Sequence, residues 1–224
     1  MAKNTSRPVT AISPSAARLS FAGAAMFALL LAGLHFIKPG LNPSWHFISE
    51  YAIGEYGWIM VLAFLSLALS YVSLFLALRS QLQTIAGRIG LALLLVSALG
   101  LTIAAIFTTD PITVSENAVT TEGTLHNLGG TLGIAMPFAA VLIGWRLARN
   151  PAWSSARRSL LWATALALVA FLVSFVSLGV MVSRSGGDFG PDVLVGWPNR
   201  IETVAYSVWL MVVARQAIRV RSQR

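Results

Sequence analysis

Positions 89–109 run for twenty-one residues without a charged side chain, and comparable runs recur along the chain. About 20 mostly apolar residues are needed to cross a bilayer as a helix. Inside the hydrocarbon, a helix satisfies its backbone polar groups within its own segment. The runs therefore predict an all-α integral membrane protein, a bundle of six transmembrane helices at about 16–37, 58–78, 89–109, 125–147, 159–183 and 198–215. Composition agrees, with 56% hydrophobic and 11% charged residues, where a soluble domain carries about 25% charge. The absence of cysteine excludes a disulfide framework and thiolate chemistry. No cleavage pattern follows the first run, so it reads as a retained helix and not a signal peptide.

The sixth span is the unusual one. Its uninterrupted apolar stretch, 204–214, is too short to cross. The helix must extend back through Pro198, Asn199, Arg200, Ile201, Glu202 and Thr203, with proline in its first turn. Outside the membrane domain, 16–215, the chain reads as a disordered tail at 1–15 and a basic tail at 216–224. In the first loop, Asn42-Pro43 predicts the start of a short helix lying in the membrane interface, with Trp45, Ile48 and Ala52 on one face. Asp110-Pro111 is expected to end the third span and Thr124 to cap the fourth. Pro137 should kink that fourth helix, while Gly129 and Gly133 form a small-xxx-small pair suited to close helix contact.

Placing the N-terminus inside sorts the charges. Thirteen of the sixteen basic residues fall on the cytoplasmic side, the exceptions being Lys38, Arg184 and Arg200, and all eight acidic residues fall on the other. A basic bias of this kind orients polytopic proteins. Both termini are thus expected in the cytoplasm of a plasma-membrane protein, and the net charge of +8 expresses topology, not nucleic-acid binding. His35, His46 and His126 also lie in the outer half, so acid–base and metal chemistry is gathered at one end.

Candidate site residues follow from this placement. Counting 1.5 Å per residue, Arg200 lies roughly 22 Å above Arg215 and so about 8 Å below the outer edge of the hydrocarbon. A charge there costs about 2.5 kcal/mol or more unless paired or hydrated; Asp110 or Asp192 are the partners considered. Asn199, Glu202, Thr203 and Tyr206 share one helical stripe that should face the bundle. Asp110 and His126 flank the outer hairpin at matching height, as a base with its orienter, as metal ligands, or as a simple cap on the fourth helix. His46 and Glu50 stand i, i+4 and with Asp110 and His126 make a weak four-ligand metal candidate, although no HExxH is present. Ser49 lies beside them as a nucleophile or phosphate donor. No nucleotide-binding glycine motif and no nucleophile elbow occurs, and no cofactor is indicated.

These residues resemble a family of bacterial and archaeal membrane proteins catalogued as domain of unknown function 998. The resemblance spans nearly the whole membrane region. It rests on Ser49-Glu50-Tyr51 with Gly54, Gly57 and Trp58, on Asp110, on His126-Asn127, and on Gly196 followed by Asn199-Arg200. It implies six helices and significance for the outer polar residues, and it implies no reaction.

Three functions are compatible with the letters. One is a protein that handles membrane lipids or small anionic molecules, with an outer-leaflet pocket built from Ser49, Glu50, Asp110, His126, Asn127, Asn199, Arg200, Glu202 and Tyr206. In it Arg200 would bind an anionic headgroup, and His126 with Asp110 would be the acid–base pair if it is an enzyme. The second is a small transporter or permease subunit, expected to be a homo-oligomer. The third is a structural or assembly component whose charges only lock helices together.

Overall fold

The computed structural model describes residues 12–222. Six helical spans are long and apolar enough to cross a membrane: α1 (Pro14–Ile37), α2 (Gly57–Leu78), α3 (Ile85–Ile106), a fourth span divided into α4 (Thr121–Gly133) and α5 (Ala135–Ala148), α6 (Arg157–Ser185) and α7 (Gly196–Ser222). They form a ring in chain order. Each span packs on the next, α7 closes the ring against α1, and α2 also touches α7 across it. The alternating helix directions gather the acidic connections, residues 38–56, 107–120 and 186–195, at one end, and the basic ones at the other. These are called the acidic and basic ends below.

Polar side chains set several boundaries. Ser13 caps α1, accepting from Ala16 N at 3.4 Å, with Pro14 in the first turn. Thr84 caps α3 through Gly87 N at 3.2 Å. The cap of α4 is Thr120, not Thr124, because the Thr120 hydroxyl accepts from Gly123 N at 2.9 Å while the Thr124 hydroxyl donates back to Thr120 O. The third span stops at Ile106, ahead of Asp110-Pro111, with Phe107 already extended. The fourth span breaks at Ile134, whose N–H turns to Thr131 O in a tighter turn. Pro137 explains the position, since its ring lacks a donor for the carbonyl of Gly133, four residues back, and collides with it.

The first loop differs from the interfacial helix expected there. Asn42 Oδ1 accepts from Ser44 N at 3.0 Å and from Ser44 Oγ at 2.8 Å, and Asn42 O accepts from His46 N at 3.2 Å, so one capped turn forms at Asn42-Pro43 and does not continue as a helix. A 3-10 helix follows at Ile48–Ala52, with Ile48, Glu50 and Tyr51 buried against the bundle. The residues expected to form a C-terminal tail also differ. Helix α7 continues to Ser222, because Val213, Ala217 and Val220 keep an apolar stripe that stays buried. Of the expected N-terminal tail, residues 1–11 lie outside the described residues, and helix α1 already begins at Pro14.

Helix α3 approaches α4 most closely at glycines. A Cβ on Gly100 would stand 2.5 Å from Gly129 O, and one on Gly129 would stand 2.6 Å from Gly100 O. The same Cβ on Gly100 would stand 3.1 Å from Gly133 N, so Gly129 and Gly133 together seat Gly100, while a Cβ on Gly130 or Gly133 would itself meet nothing. Overpacking typically costs about 1–3 kcal/mol, and rigid backbone on both sides leaves little room to relax. Gly129→Leu is expected to lower the melting temperature in detergent clearly, while Gly130→Leu is expected to leave it within a few degrees of the parent; differential scanning fluorimetry checks the contrast.

Candidate functional site

Arg200 is the polar centre of the acidic end. It projects from the second turn of α7 and is only 3% exposed. Its Nε donates to His35 Nε2 at 2.9 Å. Nη1 reaches Pro43 O, His46 O and Gly196 O at 3.2, 2.6 and 3.1 Å. Nη2 donates to Tyr51 Oη at 3.4 Å, and the guanidinium carbon lies 5.6 Å from the Tyr51 ring centre. His35 must accept at Nε2, so Nδ1 carries the hydrogen that it donates to Leu31 O at 2.8 Å. The guanidinium has no carboxylate partner; neither Asp110 nor Asp192 pairs with it. Its donors are turned into the protein, and it lines neither cavity described below. The expected role as an anion anchor therefore gives way to a structural one, binding the first loop to α7. Gly196 permits this docking, since a Cβ there would fall 2.4 Å from Pro43 O.

The remaining charged candidates tie loops in the same way. Glu50, 3% exposed, accepts from His46 Nδ1 at 3.0 Å and Phe47 N at 2.9 Å through one oxygen, and from Ile112 N at 2.9 Å through the other. It caps its own 3-10 helix and holds the connection between α3 and α4. Asp110 accepts from Thr120 N at 2.8 Å and Thr120 Oγ1 at 2.9 Å, where a carboxylate favours the N-terminus of α4. Lys38 donates to the carbonyls of Tyr51 and Ile53; burial pushes its ammonium below the usual lysine value, and Glu55 partly offsets this.

Asp110 and His126 do not hydrogen-bond each other. His126, 6% exposed, donates from Nδ1 to Phe107 O at 2.9 Å, which leaves Nε2 as a bare acceptor. No three His, Asp or Glu side chains among the described residues gather as a metal site requires. The four-ligand arrangement of His46, Glu50, Asp110 and His126 is not assembled: His46 and Glu50 bond to each other, Asp110 to Thr120 and His126 to Phe107 O.

What the helices do enclose is a cavity of about 430 Å³ at the acidic half of the bundle. Helix α4 packs against α3, whereas its continuation α5 packs against both α3 and α6. The break at Ile134 thus lets α4 diverge from α6, and the cavity opens between them. Its wall is mainly apolar, with Phe64, Leu67, Phe171, Phe175 and Leu178. The stripe Asn199, Glu202, Thr203 and Tyr206 forms one side, and Ser49, Asn127 and His126 stand nearer the loops. Asn199 Oδ1 accepts from Ile48 N at 3.1 Å, and Tyr206 Oη donates to Glu202 Oε1 at 2.7 Å. Tyr71 and Ser174 also line it. The available signal for Tyr71 was a phenol in the middle of an apolar span, where its hydroxyl needs a partner. A second hollow of about 310 Å³, beside the first, is walled by Glu50, Asp110 and Glu116; Phe47, Ser49 and Asn127 line both.

Removing the Arg200 guanidinium would leave the carbonyls of Pro43 and His46 without their donor, at about 1–3 kcal/mol for each buried group left unsatisfied. Arg200→Met is expected to destabilise the protein and to release residues 43–53. Hydrogen exchange read by mass spectrometry should show faster exchange there, with α5 unchanged.

Comparison with known proteins places this geometry. No curated protein and no solved structure matches the chain. A family model described as "Protein of unknown function (DUF998)" matches residues 21–216. That span takes in α2 to α6 whole, most of α1 and α7, the Arg200 node and every residue lining the cavity. The chain is a multi-pass membrane protein and belongs to this family of unknown function.

Proposed function

We propose that the protein binds an amphipathic membrane molecule in the cavity between α4 and α6, with the apolar part against Phe64, Leu67, Phe171 and Phe175 and the polar part toward Glu202, His126 and Asn199. What supports this reading is that α4 and α6 both line the cavity while packing little against each other. The helices on either side of it expose Ile134 at 41% and Phe175 at 58%, so a ligand can arrive from the bilayer without crossing the loops. The volume lies in the range of ordinary small-molecule sites, about 300–1,000 Å³. An apolar wall with a few convergent polar groups is also what such sites present.

The basic end argues for a blind pocket over a through-path. Beyond Tyr206, α7 packs Trp209, Leu210 and Val213 into the core at 0% exposure, a dry plug below the cavity floor. The permease reading therefore has less support. By the basic bias of cytoplasmic segments, the basic end lies in the cytoplasm of a plasma-membrane protein, which puts the cavity in the outer leaflet.

Gly130 supplies the test. It lines the cavity, and a Cβ there meets nothing within 4 Å, so Gly130→Leu fills space without displacing a helix. Native mass spectrometry of protein extracted in mild detergent is expected to show amphiphile adducts on the parent and loss of most of them on the variant. Equal adducts on both proteins would rule out this cavity as the binding site.

A further inference from the structure

The polar atoms left open in the cavity differ in kind from those that hold the loops. Tyr71 is 2% exposed, lines the cavity and has no hydrogen-bond partner for its hydroxyl among the described residues. His126 presents Nε2 as a lone pair, because Nδ1 is committed to Phe107 O. Glu202 brings a carboxylate that only hydroxyls face, Tyr206 at 2.7 Å and Ser174 across from α6. No lysine or arginine lines this cavity or the adjoining hollow. Arg200 gives its donors to His35, Tyr51 and backbone carbonyls, Lys38 gives its own to backbone carbonyls, and Arg184, exposed near the end of α6, lines neither space. The adjoining hollow adds Glu50, Asp110 and Glu116. A carboxylate within a membrane span is costly unless a cation or several donors meet it. Here the protein supplies hydroxyls and no cation.

We propose that the ligand of this cavity is a cationic amphiphile, an apolar chain bearing an ammonium without a phosphate, whose N–H groups meet Glu202, Tyr71 and His126. This rests on the lateral-cavity reading and names its ligand class. It reverses the charge expected when Arg200 was taken as the anchor. A phosphate or carboxylate headgroup would find the Glu202 carboxylate facing it and no arginine or lysine fork, only the hydroxyl and amide donors of Ser49, Asn127 and Asn199 nearer the loops. The acidic hollow sharing Phe47, Ser49 and Asn127 with the cavity adds a field that favours a cation at the same end.

The test uses the full chain in phosphatidylcholine nanodiscs with three probes of equal chain length: dodecylammonium, dodecanol and dodecyl phosphate. Dodecylammonium is expected to bind about tenfold more tightly than dodecanol, the scale of one charge-assisted hydrogen bond, and dodecyl phosphate more weakly than either. Glu202→Gln should bring dodecylammonium to the level of dodecanol and leave dodecanol unchanged. Tyr71→Phe, which keeps the shape, should weaken dodecylammonium several-fold and serves if the Glu202 variant does not fold. Ethanolamine, an ammonium without the chain, should not compete; competition at equal concentration would overturn the amphiphile part of the proposal. If dodecyl phosphate bound as well as dodecylammonium, or if neither variant changed the ranking, the cationic assignment would fall. In that case Gly130→Leu still separates the two readings: loss of all three probes would keep the cavity as the site, and no loss would remove both.

Discussion

A guanidinium placed inside a helical bundle must be satisfied by that bundle, and the acidic end of this protein is arranged around that requirement. Arg200 engages a histidine from α1, three backbone carbonyls and a tyrosine hydroxyl, and no carboxylate. Using carbonyls as acceptors has a structural consequence. The cation holds the path of the backbone at Pro43 and His46, so the first loop folds inward as turns and a 3-10 helix. Gly196 belongs to the same device, because its missing side chain lets the loop lie against the start of α7. The stretch Gly196…Asn199-Arg200, together with Ser49-Glu50-Tyr51, is thereby one docked unit: Asn199 holds Ile48 N, Arg200 holds Tyr51, and Glu50 passes the linkage on to Ile112.

With its cation used internally, the bundle is left with a cavity that holds a carboxylate and neutral polar groups but no lysine or arginine. The cavity itself comes from a helix break. Pro137 removes the donor that Gly133 O would need, α4 departs from the line of α5, and the gap toward α6 appears at the acidic half only. On the other side, Gly100 and Gly129 hold α4 tightly to α3, so the gap opens on the side of α6. The α4 backbone at Gly129 and Gly133 is therefore locked against Gly100, while a side chain at Gly130 would look into open space. This division makes a cavity-filling substitution at Gly130 separable from a destabilising one at Gly129.

The polar residues flagged as a single site divide into two groups once packed. Glu50, Asp110, His46 and Arg200 stabilise connections, each with short local contacts that satisfy its charge. His126, Asn199, Glu202 and Tyr206 reach the cavity, joined by Tyr71 and Ser174. Spacing alone could not separate these groups. It placed Glu202 and Tyr206 on one stripe, which the structure retains, and it placed Asp110 and His126 at one height, which is compatible with their bonding to Thr120 and Phe107 instead of to each other.

The number of spans and the gathering of acidic groups at one end followed from the sequence by itself, because hydrocarbon admits few alternatives for a backbone and charges cannot easily be carried through it. The need of Arg200 for a partner followed from residue counting for the same reason. The identity of that partner was decided only by tertiary structure. Backbone carbonyls outnumber carboxylates and leave no trace in the sequence, so nothing in the letters at Pro43 or His46 marks them as acceptors. The cavity was likewise decided by packing: a proline predicts a bend, but the neighbouring helices determine the direction of that bend and which side chains line the space it opens.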